Sequence, residues 1–172
     1  MRLTQCDESY SGQILEIFNH AILTSTALYE YKPPTPEAMA AWFETKRRGN
    51  FPVLGLINDQ GELIGFWSYG PFRPHPGYKY TVEHSVYVSA WHRRQGAGRR
   101  LLEEVVNSAR LNNYHVLVGV IDAQNDASIR LHKSLGFELA GTVRHAGFKF
   151  GRWLDAAFYQ LILEGPANPV EG

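Results

Sequence analysis

A single cysteine, Cys6, stands in the whole chain, so neither an intramolecular disulfide nor a cysteine-based zinc site can form. Cysteine scarcity of this kind fits a reduced, intracellular setting. Neither sign of charge dominates: 17 Lys and Arg face 17 Asp and Glu, which argues against a general nucleic-acid surface. No uninterrupted apolar run approaches the ~18 residues of a transmembrane helix, and the first residues carry no basic segment followed by an apolar stretch. The expectation is a soluble cytoplasmic protein with no membrane and no nucleic-acid partner. Repeats, low-complexity linkers and composition breaks are missing as well. The 172 residues therefore predict one domain, 1–172, with a loose tail over about 165–172.

What is present is organised around Val82–Arg110. Val82, His84, Val86 and Val88 alternate with Glu83, Ser85, Tyr87 and Ser89, the period of a partly buried strand. Beyond Gly98 the period changes: Leu101, Leu102, Val105, Val106 and Ala109 recur at helical spacing. Between the two lies Arg93-Arg94-Gln95-Gly96-Ala97-Gly98, followed by Arg99. Glycines allow a ligand close to the backbone, and unpaired N–H groups at a helix start can hold a phosphate or pyrophosphate. The arginines add charge-assisted hydrogen bonds. The bland alternative is a tight loop kept soluble by its arginines.

The remaining segments fill in a mixed α/β (α+β) plan. A short first strand over 2–6 precedes a helix carrying Ile14, Ile17, Phe18 and Ile22, with caps available at Asp7 to Ser9. Thr35-Pro36-Glu37 reads as the start of a second helix, closed by Gly49. Phe51–Ile57 and Glu62–Tyr69 form a hairpin around Asn58-Asp59-Gln60-Gly61. Residues 70–79, broken by prolines and glycines, exclude regular structure. A strand over 116–121, a helix over 127–135, a strand over 137–143, an aromatic loop over 145–151 and a final strand over 153–163 follow. The sum is a twisted sheet of about seven strands with helices on both faces. A doubly wound dinucleotide fold would need its glycine turn near the first strand.

On these residues the chain resembles the GNAT superfamily of acyl-CoA-dependent N-acetyltransferases. Arg93, Gly96 and Gly98 match that family's R/Q-x-x-G-x-G/A turn, and Asn125 through Gly136-Phe137 looks like its later cofactor-side helix. Within it, Thr81–Val88 and the Ala146–Asp155 segment, AGFKFGRWLD, resemble the phosphinothricin and methionine sulfoximine N-acetyltransferase branch. The resemblance runs over roughly residues 2–163 and implies the GNAT acyl-CoA N-acyltransferase fold, acetyl-CoA as cosubstrate, no metal and a homodimer. It further implies that Val86, Tyr87, Val88, Arg93, Arg94, Gln95, Gly96, Ala97, Gly98, Arg99, Asn125, Ser128 and Lys133 touch acetyl-CoA, with backbone groups of Tyr87–Ser89 along its arm.

Acetyl transfer to an amine needs a base, because an alkyl ammonium cannot attack. Glu83 is the base that the resemblance implies; from its own position it could equally be a solvent-facing strand residue or half of an ion pair. His132 is a second catalytic candidate, to orient Glu83 or protonate the departing thiolate; a lone helix histidine is more often structural. Asn125 could instead be an Asx cap. The resemblance implies a small amino-acid-like amine as acceptor, such as phosphinothricin, methionine sulfoximine or methionine sulfone. Arg73 would bind its carboxylate, with Tyr29, Tyr78 and Lys149 as further substrate-binding candidates. Two other readings compete: an acyl-CoA-binding regulatory module without catalysis, and a nucleotide-dependent kinase. The kinase is disfavoured because the chain lacks both G-x-x-x-x-G-K-S/T and a metal carboxylate cluster.

Overall fold

The computed structural model describes residues 1–172. The chain runs β1 (Arg2–Gln5), α1 (Ser11–Thr24), α2 (Pro36–Arg48), β2 (Val53–Ile57), β3 (Leu63–Pro71), β4 (Thr81–Val88), α3 (Ala97–Leu111), β5 (Val116–Asp122), α4 (Asp126–Ser134), β6 (Glu138–Lys149) and β7 (Arg152–Ile162). Seven strands form a mixed sheet in the order β1-β2-β3-β4-β5-β7-β6, flanked by the helices. The chain divides into two compact units, residues 1–69 with 85–102, and residues 70–84 with 103–172; the divisions fall within β3, within β4 and within α3.

In the first unit, β1, β2 and β3 pair antiparallel, with a register shift between Leu56 and Ile57. Ile14, Ile17, Met39, Phe43, Val53, Ile57, Leu63 and Phe66 close its core, with Cys6 among them. Each fully buried aliphatic side chain of this kind stabilises by about 1.5–3 kcal/mol. Thr35 caps α2 as expected, its Oγ1 accepting from Ala38 N–H at 3.2 Å, with Pro36 in the first turn. At the other end Gly49 is the C-cap but keeps a right-handed backbone; Asn50, at φ 53°, takes the left-handed turn instead.

In the second unit, β4 and β5 are parallel from Thr81↔Val116 to Glu83↔Val118, while β5–β7 and β7–β6 are antiparallel. The segment expected to be irregular over 70–79 is partly ordered: β3 runs on to Pro71, and Pro76–Tyr78 makes one 3-10 turn. Proline preset the φ angle of that turn rather than preventing it. The aromatic loop expected over 145–151 is strand as far as Lys149. Of two register shifts against β7, the one between Leu139 and Gly141 precedes this segment, and a bulge around His145 (φ 54°) spans the one between Val143 and Gly147; Phe150-Gly151, at φ 52° and 72°, closes a two-residue hairpin. In the tail, Val170 N–H donates to the Tyr80 hydroxyl at 3.0 Å, and Lys79 Nζ donates to the Glu171 carbonyl at 3.1 Å. No helix is long and apolar enough to cross a membrane.

Candidate active site

In the first unit, the turn from Arg93 into α3 has the geometry of an anion cradle. Arg94 and Gly96 adopt positive φ, 62° and 79°, which bends the backbone just ahead of the helix. The first helical bond runs from Arg100 N–H to the Gly96 carbonyl at 3.1 Å, so the N–H groups of Ala97, Gly98 and Arg99 precede the helical ladder. Arg93, Arg94, Gln95 and Arg99 are exposed around it, while Ala97 is buried and anchors the first turn. A diphosphate fits this donor set by charge and by the direction of the helix dipole. Gly96→Val would force a β-branched residue into the left-handed region at a cost of about 1–2 kcal/mol, so the acetyl-CoA KM should rise roughly tenfold. Steady-state titration of acetyl-CoA checks this, and an unchanged KM would remove the turn from the site.

β4 arranges the expected chemistry by parity. Glu83, Ser85 and Tyr87 belong to one face of the strand, Val82 and His84 to the other. Glu83 is partly buried, and burial raises its carboxyl above the ordinary glutamate range, with the nearby Arg73 guanidinium pulling it partly back. The second unit thus brings Glu83 and Arg73 together. Arg73 is exposed and lies 5.4 Å from the Phe72 ring centroid; Tyr78 packs on the same ring at 5.9 Å. Lys149, by contrast, is buried, with its ammonium 5.1 Å from the Phe150 ring. In the first unit Tyr29 is 38% exposed. Val86, Tyr87 and Val88 are half-buried, and the Ser89 N–H, expected beside the acetyl-CoA arm, donates instead to the Ile64 carbonyl at 2.9 Å.

His132 has partners that alternation alone did not reveal. Its Nδ1 lies 2.8 Å from the Ser128 carbonyl, and its Nε2 lies 2.9 Å from His84 Nε2. Because a carbonyl only accepts, Nδ1 of His132 carries the proton and its Nε2 offers a lone pair; His84 must then donate from Nε2. That leaves His84 Nδ1 bare, buried and without a hydrogen-bond partner. The rings stack at 24°, both touch Phe137, and Gly119 makes the room: a Cβ there would stand 2.8 Å from His84 Cε1. Burial first, then the proximity of His132, pushes His84 down to about 3, against a smaller upward pull from the Val118 carbonyl. His132 is also lowered by burial, so the pair is neutral near pH 7. The ring nitrogens of His132 are therefore taken by Ser128 and His84, and not by Glu83.

Asn125 caps α4, its Oδ1 accepting from Ser128 N–H at 3.2 Å, which is the Asx alternative. Ser128 is half-buried and Lys133 exposed. Cys6 is buried, and burial pushes its thiol up to about 12, so it stays protonated and is a poor acyl carrier. No group of three or more His, Cys, Asp or Glu side chains could hold a metal ion.

One residue that sequence reasoning missed is Lys46. It lines a pocket of about 170 Å³ in the first unit with Phe18, Leu28, Trp42, Phe66, Ser68, Ser85 and Tyr87. The only sequence signal was its place in the basic last turn of α2, where a lysine usually serves the helix dipole in solvent.

The sequence profile of the GNAT acetyltransferase family matches residues 15–137. An L-methionine sulfoximine/L-methionine sulfone acetyltransferase of Salmonella typhimurium is 41% identical over 169 residues, covering 98% of each chain. Among solved structures, a chain from Acinetobacter baylyi ADP1 superposes at TM-score 0.98 with 54% identity, covering 99% of this chain and 97% of the other. A phosphinothricin acetyltransferase of Sinorhizobium meliloti, solved with acetyl-CoA, gives TM-score 0.94 with 36% identity, covering 99% and 94%. With the family profile matched over most of the chain, the same seven-stranded fold, and relatives matched over almost their full length, this chain belongs to the GNAT acetyltransferase family and is an acyl-CoA-dependent N-acetyltransferase.

Proposed function

We propose that the chain transfers an acetyl group from acetyl-CoA to the α-amine of a small amino acid or analogue, of the methionine sulfoximine, methionine sulfone or phosphinothricin kind. The observation that carries this reading is Glu83: a partly buried carboxylate, lifted by burial toward the working range of a base, on the strand that runs on to the Arg93–Arg99 turn. Acetyl-CoA supplies an acyl group on a thiolate leaving group. The chain's residues do the rest. Ala97, Gly98 and Arg99 N–H groups, with Arg93, hold the diphosphate. Glu83 takes the proton from the acceptor ammonium, so that the free nitrogen can attack directly. Arg73 offers a fork for the acceptor carboxylate and, by its charge, keeps Glu83 from rising further. His132, held from both nitrogens, keeps α4 and Asn125 in place.

The relatives' names support the acceptor class, and the 41% identical Salmonella protein covers nearly all of this chain. We further propose a single-domain cytoplasmic enzyme that works as a homodimer. β6 ends the sheet, and Leu139, Val143, Phe148 and Trp153 are about half exposed along β6 and β7, an apolar stretch suited to a second copy. Purified protein mixed with acetyl-CoA and a panel of small amines should release thiol with methionine sulfone or phosphinothricin, with the acetylated amine identified by mass. Saturable acetyl-CoA binding without thiol release from any amine would favour the regulatory-module reading.

A further inference from the structure

The pocket around Lys46 has two kinds of wall. Phe18 anchors the apolar side, meeting Trp42, Phe66 and Tyr87 edge-on with ring centroids 5.8, 5.2 and 5.2 Å apart. Such interlocked rings hold their places, so the cavity is preformed and accepts a slim hydrocarbon stem. The polar side is Lys46 with Ser68 and Ser85. The Lys46 ammonium donates to the Tyr69 carbonyl at 2.9 Å and lies 5.5 Å from the Trp42 centroid and 5.9 Å from that of Phe51. One carbonyl satisfies one of its three N–H donors. No carboxylate neutralises it: burial alone pulls it down to about 8. Ser68 Oγ spends its proton on the Pro52 carbonyl at 2.8 Å, so it faces other donors as an acceptor.

A half-buried cation with spare donors, set in an aromatic cup, is better satisfied when an acceptor completes it. The complement is a group rich in oxygen acceptors at the end of a short apolar stem. We propose that this pocket takes the acceptor's side chain and that Lys46 hydrogen-bonds the oxygens at its tip, making Lys46 a specificity-determining residue. The preferred acceptor then carries a sulfone, phosphinate or carboxylate where its plain counterpart has a thioether or methylene. This rests on the acetyltransferase reading above and names the recognition element of that site. Ser85 and Tyr87, alternate residues of β4, form the pocket's strand wall.

The test is a ratio: kcat/KM for methionine sulfone divided by that for methionine, acetyl-CoA saturating. The parent protein should favour the sulfone. Lys46→Met, which keeps the stem and removes the donors, should lower the ratio at least about tenfold, and Lys46→Gln, a weaker neutral donor, should fall between the two. A parent ratio within about twofold of unity, or both variants within about twofold of the parent, would overturn the inference. So would a variant that changes preference between acetyl- and longer acyl-CoA donors while leaving the ratio alone, since the pocket would then serve the acyl chain. If the parent acetylates no amine at all, the proposed function fails instead. Calorimetric titration of methionine sulfone then decides for Lys46: saturable binding weakened by Lys46→Met supports the inference, and its absence overturns it.

Discussion

Glu83→Gln is expected to lower kcat by roughly 10²- to 10⁴-fold while the acetyl-CoA KM stays within about twofold of the parent. Glutamine keeps the size and one hydrogen-bonding oxygen of glutamate but cannot accept a proton, so the loss isolates the proton transfer. The pH profile supplies a second signature. Because burial raises the Glu83 carboxyl, the acid limb of kcat/KM should lie above the ordinary glutamate range, and it should disappear in the variant. Arg73→Ala removes the opposing charge, and the acid limb should move to still higher pH. A Glu83→Gln enzyme within about twofold of parental kcat, with the chemical step shown to be limiting, would exclude Glu83 as the base.

Acid should unfold the protein partly through His84. In the unfolded chain this imidazole titrates at its ordinary 6.5, but in the folded protein it does so only at about 3. Below 6.5 the unfolded state therefore binds a proton that the folded state refuses. The stability present above pH 6.5 is lost progressively as the pH falls toward 3. Between pH 6.5 and pH 5, His84 alone should remove about 2 kcal/mol. His132, shifted in the same direction, adds to the loss. Urea midpoints at pH 7 and pH 5 measure it, provided that His84→Gln is run beside the parent, because carboxylates elsewhere titrate in both. The variant should start less stable at pH 7, having lost a ring packed on Phe137, and should lose less on acidification. Parallel losses in the two proteins would mean that the buried pair carries no proton linkage.

The contrast between Glu83 and His84 shows what the sequence made legible. Strict alternation from Val82 to Val88 separated the two side chains onto opposite faces, and the change of period at Gly98 located the strand, turn and helix to within a residue or two. Those signals are local, set by backbone geometry. What lies opposite His84 is not local: it depends on α4 packing across Gly119, 35 residues further on, and no period in the sequence encodes that approach. Lys46 was hidden for a similar reason. A Lys-Arg-Arg helix end reads as solvated charge, and only the fold shows that Lys46 turns into the rings of Trp42 and Phe51 while Arg47 and Arg48 pair with Glu44. Residues 145–149 were misread because glycine and bulky aromatics suggest a loop. Cross-strand pairing with β7 supplied the order that composition did not.

The depth of Cys6 has a practical side. A chromophoric disulfide reagent added to a turnover mixture reports every reactive sulfhydryl present, and an enzyme with accessible cysteines contributes a blank that can swamp slow reactions. Here the lone thiol, on a residue 3% exposed, keeps its proton well into alkaline solution. The folded protein should be silent to the reagent, and colour would count coenzyme A turnover by turnover, even for the crippled Glu83→Gln enzyme. A blank that climbs toward one equivalent per chain would then signal unfolding rather than catalysis.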